Sequence, residues 1–126
     1  MIGKVFDNPR TGERLTVLLT GAETEGQLFR ADYVLPAGSA IGAEHVHPKQ
    51  EQRVEILSGV MHCQINGEEH IVGPGEMLVI PAGARHFAWN PGAEAVHAID
   101  EYRPALTMER YFEKVFSLPP SASGHA

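Results

Sequence analysis

A chain of 126 residues with a formal charge of −6 and no basic run is sized for one domain around one core, and it offers no electrostatic footprint for nucleic acid or an anionic membrane. The lone Cys63 excludes an internal disulfide and fits a reducing, cytoplasmic setting, where its expected role is that of a small core hydrophobe. No apolar run approaches the roughly 18 residues of a membrane span, and the N-terminus lacks the charged, apolar and small-residue succession of a secretion signal. A soluble, unprocessed protein with a small-molecule partner is therefore expected.

Gly and Pro recur at short intervals, in "DNPRTGE", "LPAGSAIG", "INGEE", "VGPGE", "IPAGARH" and "WNPGAE". Between them lie segments of strand length, which predicts strands over 14–20, 27–35, 43–47, 51–58, 60–65, 69–72, 76–81, 86–90 and 94–102. Many short strands joined by tight turns imply an all-β sandwich or barrel. In "MHCQINGEEHIV" the turn lies at Asn66-Gly67. A three-residue loop with a Gly bulge would set Cys63 opposite Ile71 and keep apolar faces together, so that register is expected, with His62 and His70 as surface histidines.

Helical periodicity occurs once. Met108, Tyr111, Phe112, Val115 and Phe116 repeat at i, i+3, i+4, i+7 and i+8 behind Thr107 as N-cap, predicting an amphipathic helix over about 107–117. Its aromatic stripe is expected to pack on the outside of the sheet or on a second subunit. His97 and His125 carry no assignment, and "PPSASGHA", within 119–126, reads as a flexible tail behind a single domain of 1–118.

His45 and His47 stand at i and i+2, so an extended strand projects both rings from one face toward a common ion. Further on, "GEMLVIPAGARHFAWN" gives a strand, a Pro/Gly turn and His86 opening the next strand. With these residues the chain resembles the cupin superfamily of small single-domain jelly-roll barrels. That family's second motif is matched from Gly75 through Pro81, Gly83 and His86 to Asn90, and its first motif at His45, His47 and Gly59. The resemblance implies a double-stranded β-helix with one C-terminal helix, a homodimer, and a divalent transition metal (Zn, Fe, Ni, Mn or Cu) held by His45, His47 and His86. It also implies a small-molecule enzyme of dioxygenase, isomerase or lyase type.

The chain departs from the family at the acid of the first motif. Six residues separate the ligand position from Gly59, which puts Gln52 there. Strand parity agrees: Gln52 shares a face with Val54 and Ile56, whereas Glu51 shares one with Arg53 and Glu55. A bulge between His47 and Arg53 would instead turn Glu51 inward. An amide is a weaker ligand than a carboxylate, leaves the cation its full charge, and cannot serve as a general base. The dioxygenase reading, which leans on that glutamate, is weakened, and a non-catalytic binding or sensing module is the alternative, favoured by the lack of an identified interior acid or base. Val54 and Ile56 would line the pocket. Tyr33 either reaches the cavity or bonds elsewhere in the core. Strand 94–102 can face either way; with Asp100 and Tyr102 inside, Asp100 becomes a candidate acid/base or a partner of a ligand histidine. Phe87 and Trp89 alternate with His86 and are expected on the opposite side of the sheet, where they need cover.

Overall fold

The computed structural model describes residues 1–40 and 44–117. His125, the tail over 119–126 and the opening of the segment 43–47 lie outside the described residues. Two antiparallel sheets face one another. The larger, six-stranded sheet runs β1 (Val5–Asp7), β2 (Arg14–Leu19), β3 (Phe29–Leu35), β11 (Val96–Arg103), β6 (Glu51–Ser58), β9 (Met77–Ile80). The smaller runs β4 (Ser39–Ala40), β10 (Arg85–Asn90), β7 (Met61–Ile65), β8 (Glu68–Val72), and β5 (His45–Val46) also pairs with β10. Apart from the consecutive pairs β1–β2, β2–β3 and β7–β8, neighbours in each sheet are not consecutive in the chain, as in a jelly roll.

Period-two alternation explains both faces. Leu15 and Val17 of β2, Phe29, Ala31, Tyr33 and Leu35 of β3, Val54 and Ile56 of β6, and Val96, Ala98, Asp100 and Tyr102 of β11 are all buried. Their sequence neighbours alternate outward. The open question for 94–102 is thereby answered, since it is Val96, Ala98, Asp100 and Tyr102 that point into the barrel.

Four expectations need correction. The hairpin after β7 has a two-residue turn, with Asn66 at φ 49° and Gly67 at φ 85°, so Cys63 stands opposite His70 and not Ile71. Both positive φ values belong to a turn whose twist matches the flanking strands, and that outweighs the burial of Ile71, left 58 % exposed. His62 therefore shares the outer face with Ile71 and packs on Trp89, while His70 shares the face of Cys63 and lies 3.2 Å from Glu68. Second, a short helix α1 (Gly21–Thr24) follows β2. Thr20 caps it and Glu23 reaches back to the Thr20 amide, a capping box legible in "TGAE". Third, the C-terminal helix α2 (Met108–Phe116) forms where periodicity places it, but Thr107 makes no side-chain cap bond. Fourth, α2 does not cover the outside of a sheet. Phe112 stacks on Phe29 and meets Tyr102, both inward residues, so the helix closes one opening of the barrel.

Gly59, between β6 and β7, is required by both torsion and space. It sits at φ 81°, and a Cβ there would lie 2.4 Å from the Ala95 carbonyl oxygen and 2.9 Å from the Val96 Cα. Backbone on a strand cannot yield to it. Gly59→Ala is expected to destabilise the protein by roughly 2–4 kcal/mol; a urea midpoint within error of the wild type would contradict this account of the turn.

Candidate metal centre

Three imidazoles meet at one end of the barrel. His45 of β5 stands directly opposite His86 of β10, and directly opposite residues share a face. His47 follows two residues after His45, just past the end of β5, and its ring reaches the same place. Ring centroids are 4.3 Å apart for His45 and His86, 5.0 Å for His45 and His47, and 5.2 Å for His47 and His86. One ring nitrogen from each lies within 4.8 Å of the others, close enough for a single ion.

Protonation favours ligation. Burial, then the neighbouring His45 and His86, push the His47 pKa down to about 4, so this ring is neutral at pH 7 with a lone pair to give. Burial also lowers that of His86. The His86 Nδ1 lies 3.0 Å from the Ala84 carbonyl, an acceptor only, so Nδ1 carries the proton and Nε2 the lone pair.

The amide was the open position. Gln52 is buried on the inner face of β6, while Glu51 faces outward and accepts from the Arg53 guanidinium at 3.0 Å. Gln52 Nε2 donates to Asp100 Oδ1 at 3.0 Å, which leaves Oε1 as the free end. The donor set then tests itself: among the buried side-chain atoms without a hydrogen-bond partner are His47 Nε2, His86 Nε2 and Gln52 Oε1. Gln52 Oε1 and the unprotonated His86 Nε2 are electron-pair donors, and the neutral ring of His47 has a lone pair on one of its nitrogens. A buried acceptor without a partner costs about 1–3 kcal/mol, and a cation is the partner that would relieve several at once. The residues present therefore fit a divalent transition metal.

The cupin domain profile matches residues 31–102, more than half the chain. The chain belongs to the cupin domain family. Germin-like protein 3-7 of Oryza sativa subsp. japonica is 29 % identical over 75 residues, which are 56 % of this cupin but 32 % of that protein, so the chain spans about a third of the relative's length. Among solved structures, KdgF from Halomonas sp. superposes with a TM-score of 0.70 at 18 % identity, over 82 % of this cupin and 89 % of that chain. A protein described as a predicted oxalate decarboxylase, from Thermotoga maritima, gives 0.71 at 20 % identity over 80 % and 90 %. At these identities the structural matches establish the jelly-roll fold.

Beyond the histidines the interior of this cupin holds further buried polar groups. Asp100, wholly buried, accepts from Gln52 Nε2 and, at 3.2 Å, from the Tyr102 hydroxyl. Burial raises its pKa to about 7, against the lowering effect of those two hydrogen bonds. The Tyr33 hydroxyl donates to Glu13, which Thr11 Oγ1 also contacts at 2.7 Å and Asn8 Nδ2 at 3.3 Å. Tyr33 is thus an interior residue whose hydroxyl is already engaged. Glu13 went unnoticed in the sequence, although it stands at the parity of Leu15 and Val17, which was signal enough. Gln50 was missed too; it is buried and donates to the Pro104 and Ala105 carbonyls, tying the segment between β5 and β6 to the lead-in of α2.

Other singled-out residues have structural employment. Asn90, the last residue of the second motif, donates to the carbonyls of Leu35, Pro36 and Glu94 and accepts from the Gly92 amide. Phe87 and Trp89 stack on each other on the face opposite buried His86, as the alternation predicts. His97 faces outward and lies 2.7 Å from Asp32. Cys63 is buried in the core, and burial pushes its thiol up to about 11.

Asp100 gives a pH-dependent term of definite sign. Its folded pKa of about 7 lies above the ordinary 3.8, so the folded protein keeps a proton that the unfolded chain has lost. The stability it lends is full below pH 3.8 and disappears as pH rises through about 7. Asp100→Asn removes the dependence while keeping an acceptor for Gln52. The metal-free variant is expected to gain urea resistance relative to metal-free wild type as pH rises from 4.5 to 8; a constant or shrinking difference would reject the assignment.

Proposed function

We propose that this cupin is a metal-dependent isomerase or lyase of a small, oxygen-rich substrate, with His45, His47 and His86 as imidazole ligands and Gln52 as a neutral fourth. Zn, Fe, Ni, Mn or Cu suits such a set, and a bound dication would supply Lewis-acid polarisation to an enol, diketone or carboxylate oxygen. The observation that carries the reading is Asp100, a carboxyl buried in the same interior and hydrogen-bonded to the candidate ligand Gln52. Near pH 7 it can accept a proton at Oδ2 and return it to a neighbouring atom of the substrate, which the amide of Gln52 cannot do. The Tyr102 hydroxyl, donating to the same carboxylate, holds it in place. Val54 and Ile56 supply apolar wall that keeps water from competing for the proton.

The inward position of Asp100 also removes the support for a purely binding or sensing module, which rested on the lack of an interior acid or base. A dioxygenase leaning on a ligand glutamate is likewise disfavoured, because Gln52 occupies that place. The test uses protein loaded with each metal in turn and a panel of enolisable diketones and 2-keto acids in D2O, followed by NMR and an oxygen electrode. Deuterium incorporation or isomerisation without oxygen uptake is expected, lowered about 100-fold in Asp100→Asn and abolished, with metal uptake, in His45→Ala/His86→Ala. Saturable binding with no exchange on any metal would leave the module reading, and stoichiometric oxygen uptake the dioxygenase.

We further propose that residues 1–118 act as one domain in a cytoplasmic homodimer; no described helix is long and apolar enough to cross a membrane. The outer face of the smaller sheet supports the dimer. Half-buried Phe87 and Trp89 lie there with His62 and exposed Ile71, an apolar group that a second subunit would cover. Ile71→Glu is expected to convert a dimer to a monomer in sedimentation velocity runs; a wild type that sediments as a monomer throughout would refute it.

A further inference from the structure

The chain has three tyrosines, and among the described residues only two of them have a partner for the hydroxyl. Tyr33 donates to Glu13 and Tyr102 to Asp100, so both are committed. Tyr111 differs. It sits on α2, 36 % exposed, and its hydroxyl makes no hydrogen bond to any described residue. Its ring stands edge-on to His47, with centroids 5.5 Å apart, and edge-on to Phe112 at 5.3 Å, so the position of the phenol is fixed by aromatic packing.

Burial, and then Glu13, raise the pKa of Tyr111, so its hydroxyl stays protonated as a donor near neutral pH. A rigidly held phenol beside a ligand histidine, with its polar end uncommitted, is suited to meet something that arrives from outside. The backbone holds α2 in that place at both ends. Gln50 Nε2 bonds the Pro104 and Ala105 carbonyls ahead of the helix, and Arg10 Nη2 donates to the Val115 carbonyl at 3.1 Å near its end.

We propose that Tyr111 is a ligand-contacting residue of this site, its hydroxyl donating a hydrogen bond to an oxygen of an anionic chelate held at the His45–His47–His86 centre. The C-terminal helix is then a wall of the binding site as well as a plug of the barrel. The proposal rests on the metal reading above, and the ligand class is a small molecule with two adjacent oxygens, one for the ion and one for the phenol. A neutral or anionic oxygen can accept from Tyr111, and a hydrogen bond to a charged oxygen is the stronger of the two.

The experiment uses full-length protein loaded with cobalt(II) and titrated with acetohydroxamate, a small chelating oxygen ligand, followed by the cobalt d–d absorbance. Tyr111→Phe keeps the ring against His47 and Phe112, so its thermal midpoint and cobalt affinity are expected to match the wild type. Its acetohydroxamate affinity is expected to fall about tenfold. Equal affinity in wild type and Tyr111→Phe, with cobalt bound by both, overturns the role of Tyr111 alone. Absence of cobalt uptake by the wild type overturns the metal reading and this proposal together. Loss of cobalt affinity in Tyr111→Phe also overturns it, since the hydroxyl would then act on the metal site itself.

Discussion

Buried polar atoms with no hydrogen-bond partner among the described residues are the constraint on which this structure depends. His47 Nε2, His86 Nε2 and Gln52 Oε1 are buried without hydrogen-bond partners among the described residues, on parts of the chain that the barrel brings together. A fold leaves such atoms unsatisfied only at a cost of about 1–3 kcal/mol each. Hydrogen bonds on the far side of each group fix the arrangement. The Ala84 carbonyl holds the His86 tautomer, and Asp100 holds the amide of Gln52 so that oxygen is its free end. The jelly roll supplies the rigidity; the polar groups supply the chemistry.

The same interior explains why neutral and proton-sharing groups gather there. Low dielectric pushes His47 and His86 toward neutrality and Asp100 toward its protonated form, so the pocket avoids uncompensated charge by the simplest available route. With neutral rings and a neutral amide, an arriving dication keeps its charge, and the carboxyl next door is poised near neutrality. Under the proposed function, exchange of the family's glutamate for Gln52 would divide the labour, with the amide beside the metal and the proton handled by Asp100 on the adjacent strand.

Much of this was legible from spacing. His45 and His47 at i and i+2, His86 after a Pro/Gly turn, and the parity that separates Gln52 from Glu51 are local properties of extended chain. They survived because pleated strands leave side-chain direction little freedom. The hairpin after β7 was misread because burial of Ile71 was weighed above turn geometry, and Asn66-Gly67 decided otherwise. Glu13 was overlooked because an acid near a turn reads as surface, and its burial depends on donors from Asn8, Thr11 and Tyr33 that sequence does not place together.

Sequence by itself determined nine of the eleven described strands, missing the short β1 and β4, together with the cupin resemblance, the amphipathic helix and which residues alternate together along a strand, since periodicity and turn residues act over a few neighbours. Tertiary structure alone decided which way β11 faces, and so put Asp100 beside Gln52. It also sent α2 into the mouth of the barrel, where Tyr111 meets His47. Both outcomes turn on which of two chemically acceptable faces finds a partner. That partner, β6 in one case and the opening beside Phe29 and Tyr102 in the other, lies far away along the chain.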